Sequence, residues 1–434
     1  MALGGGTWFT QNKVLPGSYI NFVSQAKASA LLSERGIAAA PFTLSWGKEG
    51  AIFELTAEDF RKNCRALFGY DTDADEMRAL REIFCHASKV YGYRLGTSTK
   101  AANTYATAKY GGVRGNALAI KITADIDNTK YFIVSTLLDG ITVDEQRVKT
   151  AAELVSNDFV IFKATGVTLS ASAGTPLTGG ADCASITGTH YQAFLNALES
   201  YSFHALCCPV TDTSTIGLFV NYTKRLREEQ GAKFQLITRG ATSADYEGVI
   251  DIGNAMPGGT TLLYWLTGAE AAVPIGKTLT NTEYDGETTV FTDYTQAELE
   301  SFIKSGQLVF HKVGGAVRIL EDINTLVSFT SEKGEIFRSN QTVRTCDQIA
   351  NDTAALFGTR YLGSIPNDAD GRASLWNDVV KLLRQLEEER AIEGFDADTV
   401  KVTDGEQKGS VVLTIDGLNI VNAMDKLYMS VIIR

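Results

Sequence analysis

The residues best suited to chemistry are those that could hold a phosphate. A-A-V-P-I-G-K-T, residues 271–278, ends in the Gly-Lys-Thr of a phosphate loop, whose backbone amides cradle an anion while the lysine reaches its outer oxygens. Ala271 stands where that motif has its first glycine. The preceding T-L-L-Y-W-L-T-G-A-E-A-A reads as a helix, whereas a phosphate loop follows a strand, so a plain turn is the competing reading. G-G-V-R-G at 111–115 lacks the dinucleotide spacing and reads as a flexible junction. His204, Cys207 and Cys208 could ligate a metal. Along a strand, however, His204 and Cys208 project to one side and Cys207 to the other, which fits a buried strand with inert thiols. His86, His190, His204 and His311 are scattered, and neither H-E-x-x-H nor G-x-S-x-G occurs. The run Glu387, Glu388, Glu389 reads as a solvated helix face. No catalytic residue, cofactor or metal ligand is assigned. An α/β nucleotide-binding protein or enzyme using the degenerate Gly-Lys-Thr loop is kept as the alternative to a structural protein.

The elements that would position these groups alternate along the chain. L-T-A-E-D-F-R-K-N-C-R-A-L-F-G opens with Thr56 three residues before Asp59 and stops at Gly69, the pattern of a capped helix. Strand-like H-A-L-C-C-P-V and F-Q-L-I-T flank a helix over 220–230, and strands alternating with helices imply βαβ units in a partly parallel sheet. Between 101 and 185 the texture changes to N-A-L-A-I-K-I-T, K-Y-F-I-V-S-T-L and D-F-V-I-F-K-A, strands separated by turn residues. Near 295 a boxed helix stops at Gly306, and two strands follow, joined at Gly314 and Gly315. Helices are expected at 346–357 and 374–393.

The division is therefore an N-terminal arm over 1–24, an α/β core over 25–100 and 186–335, an inserted β-rich domain over 101–185, a C-terminal α/β domain over 336–425 and a closing strand over 426–434. With 434 residues, 44% hydrophobic and 21% charged, the chain has ample material for several cores. A formal charge of -11 disfavours nucleic acid and anionic membrane surfaces as partners. Six scattered cysteines without a C-x-x-C pair signal neither disulfide framework nor zinc ribbon. The start has no secretory pattern, which points to cytoplasmic synthesis.

The termini are unusual. The first 24 residues are too apolar for a solvated linker and too broken by glycine and proline for a helix. At the other end Leu427, Met429, Val431 and Ile433 alternate with Tyr428, Ser430 and Ile432, a strand pattern apolar on both sides. Such ends either pair within their own subunit or are donated to the sheet edge of another.

M-A-L-G-G-G-T-W-F-T-Q-N-K-V-L-P-G-S-Y-I-N-F-V-S, the stretch L-T-N-T-E-Y-D-G-E, R-S-N-Q-T-V-R-T-C-D-Q-I-A-N-D and the ending N-A-M-D-K-L-Y-M-S-V-I-I-R resemble contractile tail sheath proteins. The type is that of prophages, defective phage-like particles and R-type bacteriocins of Gram-positive bacteria. The resemblance spans nearly the whole chain. It implies a multidomain α/β tail-sheath architecture with extended terminal arms, and a non-enzymatic subunit in helically stacked hexameric rings. Its expected partners are neighbouring sheath subunits, an inner tail tube protein, and baseplate and tail terminator proteins, with no nucleic acid and no direct membrane contact. It further implies that Tyr19, Ile20 and Phe22, and Leu427, Tyr428, Met429, Val431 and Ile433, make inter-subunit arm contacts. An inward helix, here Ser374–Glu393 with Lys381 and Arg384, would touch the tube. Assembly would take place in the bacterial host cytoplasm, and the product would be a virion tail or a released bacteriocin particle.

Overall fold

A computed structural model describes residues 32–433. Strand Ile37–Phe42, I-A-A-A-P-F, lies at the middle of a sheet covered on both faces, so its alanines are wholly buried. Seven strands run in the order Gln307–Leu308, Val249–Ile252, Gln235–Thr238, Ala205–Cys207, Ile37–Phe42, Lys89–Arg94, Ile52–Thr56. Neighbours are parallel except Ile52–Thr56, which returns antiparallel to Lys89–Arg94. Ala38 and Ala40 face one core with helix Thr261–Ala272. Ala39 faces the other, with helices Gly188–Leu198 and Thr213–Arg225. Helix Thr261–Ala272 is apolar on every side and accordingly interior. Its Gly268 admits the carbonyl of Ile83, which a Cβ would approach to 2.2 Å.

Several helix ends follow from local signals. Thr56 accepts from the Asp59 amide to cap Ala57–Phe68, and Gly69 closes that helix at φ 75°. Thr295 and Glu298 box Gln296–Lys304. Gly314 and Gly315, both at positive φ, turn Phe310–Val313 into Ala316–Ile319. Gln307–Leu308, expected in the same hairpin, is instead drawn into the main sheet by Val249–Ile252.

The insertion builds an antiparallel sheet in the order Ile141–Val148, Phe132–Leu138, Leu118–Ala124, Ser172–Pro176, with Ala106–Ala108 and Val160–Phe162 paired beside it. Leu118, Ile120, Val134 and Val160 give it a core of its own.

In the C-terminal part, two helices shift from their expected bounds. The first is Asn340–Leu356 and begins at Asn340 because Asn340–Thr345, polar but for Val343, is held by partners distant in sequence. The second is Ala369–Glu388: Asp368 caps its start, accepting from Gly371, and Arg390 at φ 59° ends it. Ile392–Glu393 is then a strand paired with Asn419–Ile420, not the tail of a helix. A hairpin of Val400–Asp404 and Val411–Ile415 lies over this second helix, where the Trp376 indole donates to the Val400 carbonyl at 2.9 Å. The whole is the mixed α/β multidomain architecture with an inserted β domain that the sequence pointed to.

Candidate functional site

The phosphate-loop reading does not survive the local geometry. Ala271 and Ala272 close a helix, and the turn that follows presents carbonyls rather than an amide nest. The Gly276 carbonyl accepts from Gln341 at 2.8 Å and the Lys277 carbonyl from Arg344 at 3.0 Å. G-G-V-R-G is packed, not loose. A Cβ at Gly112 would lie 2.0 Å from the Ser45 carbonyl, and Arg114 binds the Gly69 carbonyl and Asp139. Cys207 and Cys208 are buried, and burial raises both thiols, Cys208 to about 12. Burial, with Arg35 adding to it, lowers His204 to about 3, and its Nδ1 accepts from the Ile37 amide. Among the described residues no group of three or more His, Cys, Asp and Glu is placed to hold a metal ion.

The densest polar chemistry lies where helix Asn340–Leu356 meets the core. Arg344, 2% exposed, is 2.7 Å from both Glu270 and Asp322. Asp322 also accepts from the Leu279 amide and the Asn340 amide group. Burial opposes ionisation of Asp322, but Arg344 and these donors outweigh it and hold the carboxyl below its ordinary value. Burial is also the largest influence on Glu270 and pushes it up to about 7 against the pull of Arg344. A second buried pair, Arg227 with Asp347, joins the same helix to the core. Buried pairs of this kind add little net stability over apolar packing, yet removing one partner costs about 3–5 kcal/mol. They select one docking geometry for the helix.

Segment 421–433 leaves this junction and forms no strand with any described residue. Leu427, Tyr428, Met429, Val431 and Ile433 are all at least 72% exposed. Beside the hairpin lies a groove of about 490 Å³, lined by Ile349, Ala350, Thr353, Ala354 and Phe357 on one side and Val411, Leu413 and Ile415 on the other. Val411–Ile415 pairs only with Val400–Asp404 among the described residues, so its outer edge of amides and carbonyls is open. The sequence reading did not find this groove. Its signals were Ile349, Thr353 and Phe357 at helical spacing and the alternation Val411, Leu413, Ile415. Lys381 and Arg384 lie exposed on helix Ala369–Glu388. Tyr19, Ile20 and Phe22 lie outside the described residues.

Comparison with known proteins places this architecture. Residues 35–95 match the N-terminal region of domain III of the tail sheath protein Gp18, and 95–182 match the phage tail sheath protein beta-sandwich domain. Residues 184–325 match the phage tail sheath protein central domain, and 332–434 the phage tail sheath C-terminal domain. The crystal structure of a sheath tail protein from Desulfitobacterium hafniense is similar with TM-score 0.78 and 34% identity, over 89% of this chain and 93% of that one. A sheath tail protein from Listeria innocua is similar with TM-score 0.77 and 29% identity, over 89% and 94%. The chain belongs to the phage tail sheath protein family. A further relative is protein XkdK of the phage-like element PBSX of Bacillus subtilis (strain 168), 31% identical over 470 residues, covering 99% of both chains.

Proposed function

We propose that the chain polymerises as hexameric rings stacked helically around an inner tail tube, linked by strands exchanged between subunits, and contracts to drive the tube through a target cell envelope. The observation that carries this reading is a complementary pair on one subunit. An apolar strand-like segment, Leu427–Ile433, has no cover, and an apolar groove lies beside the open edge of Val411–Ile415. A strand from a neighbour would satisfy that edge with backbone hydrogen bonds and set alternate side chains against Ile349, Ala354 and Leu413. Each fully covered apolar side chain contributes about 1.5–3 kcal/mol.

Tyr19, Ile20 and Phe22 form the second donated segment in this reading. Lys381 and Arg384 face the tube, and baseplate and terminator proteins bound the two ends. No bound nucleotide is required: the energy is the difference between two packings of the same subunits. Assembly occurs in the host cytoplasm, followed by release as a virion tail or bacteriocin particle, without direct engagement of nucleic acid or membrane by this subunit.

Removing residues 426–434 tests the reading. Negative-stain microscopy of the full-length chain should show long helical polymers, and the truncated chain should remain as subunits with an unchanged thermal midpoint. Truncated chains that polymerise as well as the native ones refute strand exchange by this segment.

A further inference from the structure

Helix Asn340–Leu356 grips the roots of both arms at two separate levels. In its first turn the Gln341 Nε2 donates to the Val421 carbonyl at 3.1 Å and its Oε1 accepts from the Ala423 amide at 3.0 Å. Thr342 Oγ1 donates to Asn422 Oδ1 at 3.2 Å. Further along, Gln348 Nε2 donates to Ser33 Oγ at 2.8 Å and to the Ser33 carbonyl at 3.2 Å. The Asp352 carboxylate accepts from Ser33 Oγ at 2.5 Å and from the Ser33 amide at 3.3 Å. On the adjacent helix, Gln385 accepts from the Leu32 amide at 3.1 Å.

Gln341, Gln348 and Asp352 are buried, while Ser33 and Asn422 are exposed and belong to no helix or strand. Buried amides and a buried carboxylate thus spend their hydrogen bonds on two irregular stretches, one at the first described residues and one at 421–423. Immediately inward of Ser33, Arg35 donates to the Glu270 and Val273 carbonyls, and the Gly36 amide donates to the Ala271 carbonyl. A pull on an unclamped N-terminal arm would therefore fall first on the strand that centres the sheet and on the buried charges around Glu270.

We infer that helix Asn340–Leu356 is a clamp which takes tension from both arms through Gln341, Gln348 and Asp352, so that pulling between subunits does not reach the sheet. This rests on the strand-exchange reading above. Of the bonds to Ser33, that from its hydroxyl to Asp352 is charge-assisted and the strongest.

Ser33→Ala removes one exposed hydroxyl with its bonds to the buried Gln348 and Asp352, whereas Asp352→Ala removes the carboxylate. Polymers of full-length native and variant chains are subjected to flow shear, and their fragments are counted by negative-stain microscopy. The thermal midpoint of the unassembled subunit is measured alongside. Both variants should assemble and then fragment about tenfold faster or more, the order expected for losing a charge-assisted hydrogen bond, and by more than the fall in the subunit midpoint accounts for. Fragmentation no faster than native overturns the clamp, as does fragmentation that rises only in step with a falling subunit midpoint. A native chain that forms no polymer at all overturns the strand-exchange reading instead, and the clamp with it.

Discussion

Glu270 is wholly buried in helix Thr261–Ala272, with Oε2 at 2.7 Å from Arg344 and Oε1 without a hydrogen-bond donor among the described residues. Its value of about 7 lies above the ordinary 4.5, so the folded chain holds this proton more tightly than the unfolded chain does. The stability it contributes is fully present below pH 4.5 and is lost as pH rises through 7. Asp322 runs in the opposite sense, but its loss occurs as pH falls below the ordinary 3.8, outside that window. Glu270 therefore contributes a downward component between about pH 5 and pH 7, at most about 1.4 kcal/mol per pH unit, set against the rising component of His204, whose value of about 3 lies below the ordinary 6.5. Glu270→Gln, which cannot titrate, should remove that component, so that the variant's stability rises more steeply with pH than the native chain's over this range. A variant with the native slope would assign the titration to another group. Nothing in G-A-E-A-A announces this role, because a glutamate in an apolar helix acquires its partners from Arg35 and Arg344, both remote in the chain.

The helix Asn340–Leu356 shows how an element can be legible in part. Its second half carries Ile349 and Phe357 at helical spacing, and the sequence marks it. Its first half, N-Q-T-V-R-T, has no apolar stripe and is buried nonetheless, because Asp322, Gln235, Glu270 and residues 421–423 meet its polar groups. Hydrophobic periodicity reports burial against apolar neighbours and is blind to burial against polar ones. The groove on its far side yields a prediction at the same scale. Ala354 is exposed in the subunit, so Ala354→Arg should change subunit stability by no more than about 0.5 kcal/mol. In the assembly, an added strand would have to desolvate that guanidinium beside Leu413, and polymerisation should fail. Sedimentation of the variant with polymers of native length would dismiss the groove as the receiving site.

For the whole molecule, the proposed tube contact can be tested apart from the proposed subunit contacts. Lys381 and Arg384 stand exposed on helix Ala369–Glu388 and do not line the groove. Reversing both to glutamate should leave polymerisation of the isolated chain intact while reducing the share of particles whose sheath encloses a tube. Raising the salt should weaken the native contact by the same route, since exposed charges are screened within about 10 Å at 0.1 M ionic strength. Tube-filled particles at native frequency in the reversed variant would remove this helix from the tube interface.

Sequence alone determined what depends on near neighbours and on the period of apolar residues. Thr56 and Gly69 bound one helix, Thr295 and Glu298 start another, Gly314–Gly315 turn a hairpin, and the change of texture near 101 announces a β-rich insertion. The alternation in Leu427–Ile433 gives a strand pattern, and the segment forms no strand with any described residue. Tertiary structure decided the rest. It showed that A-A-V-P-I-G-K-T offers carbonyls to a helix, that Gln307–Leu308 joins the main sheet, and that a polar helix joins the core to residues 421–423. The division has one physical cause. Caps and turns are settled by hydrogen bonds within a few residues, whereas a buried charge or an open groove exists only once segments remote in the chain have been brought together.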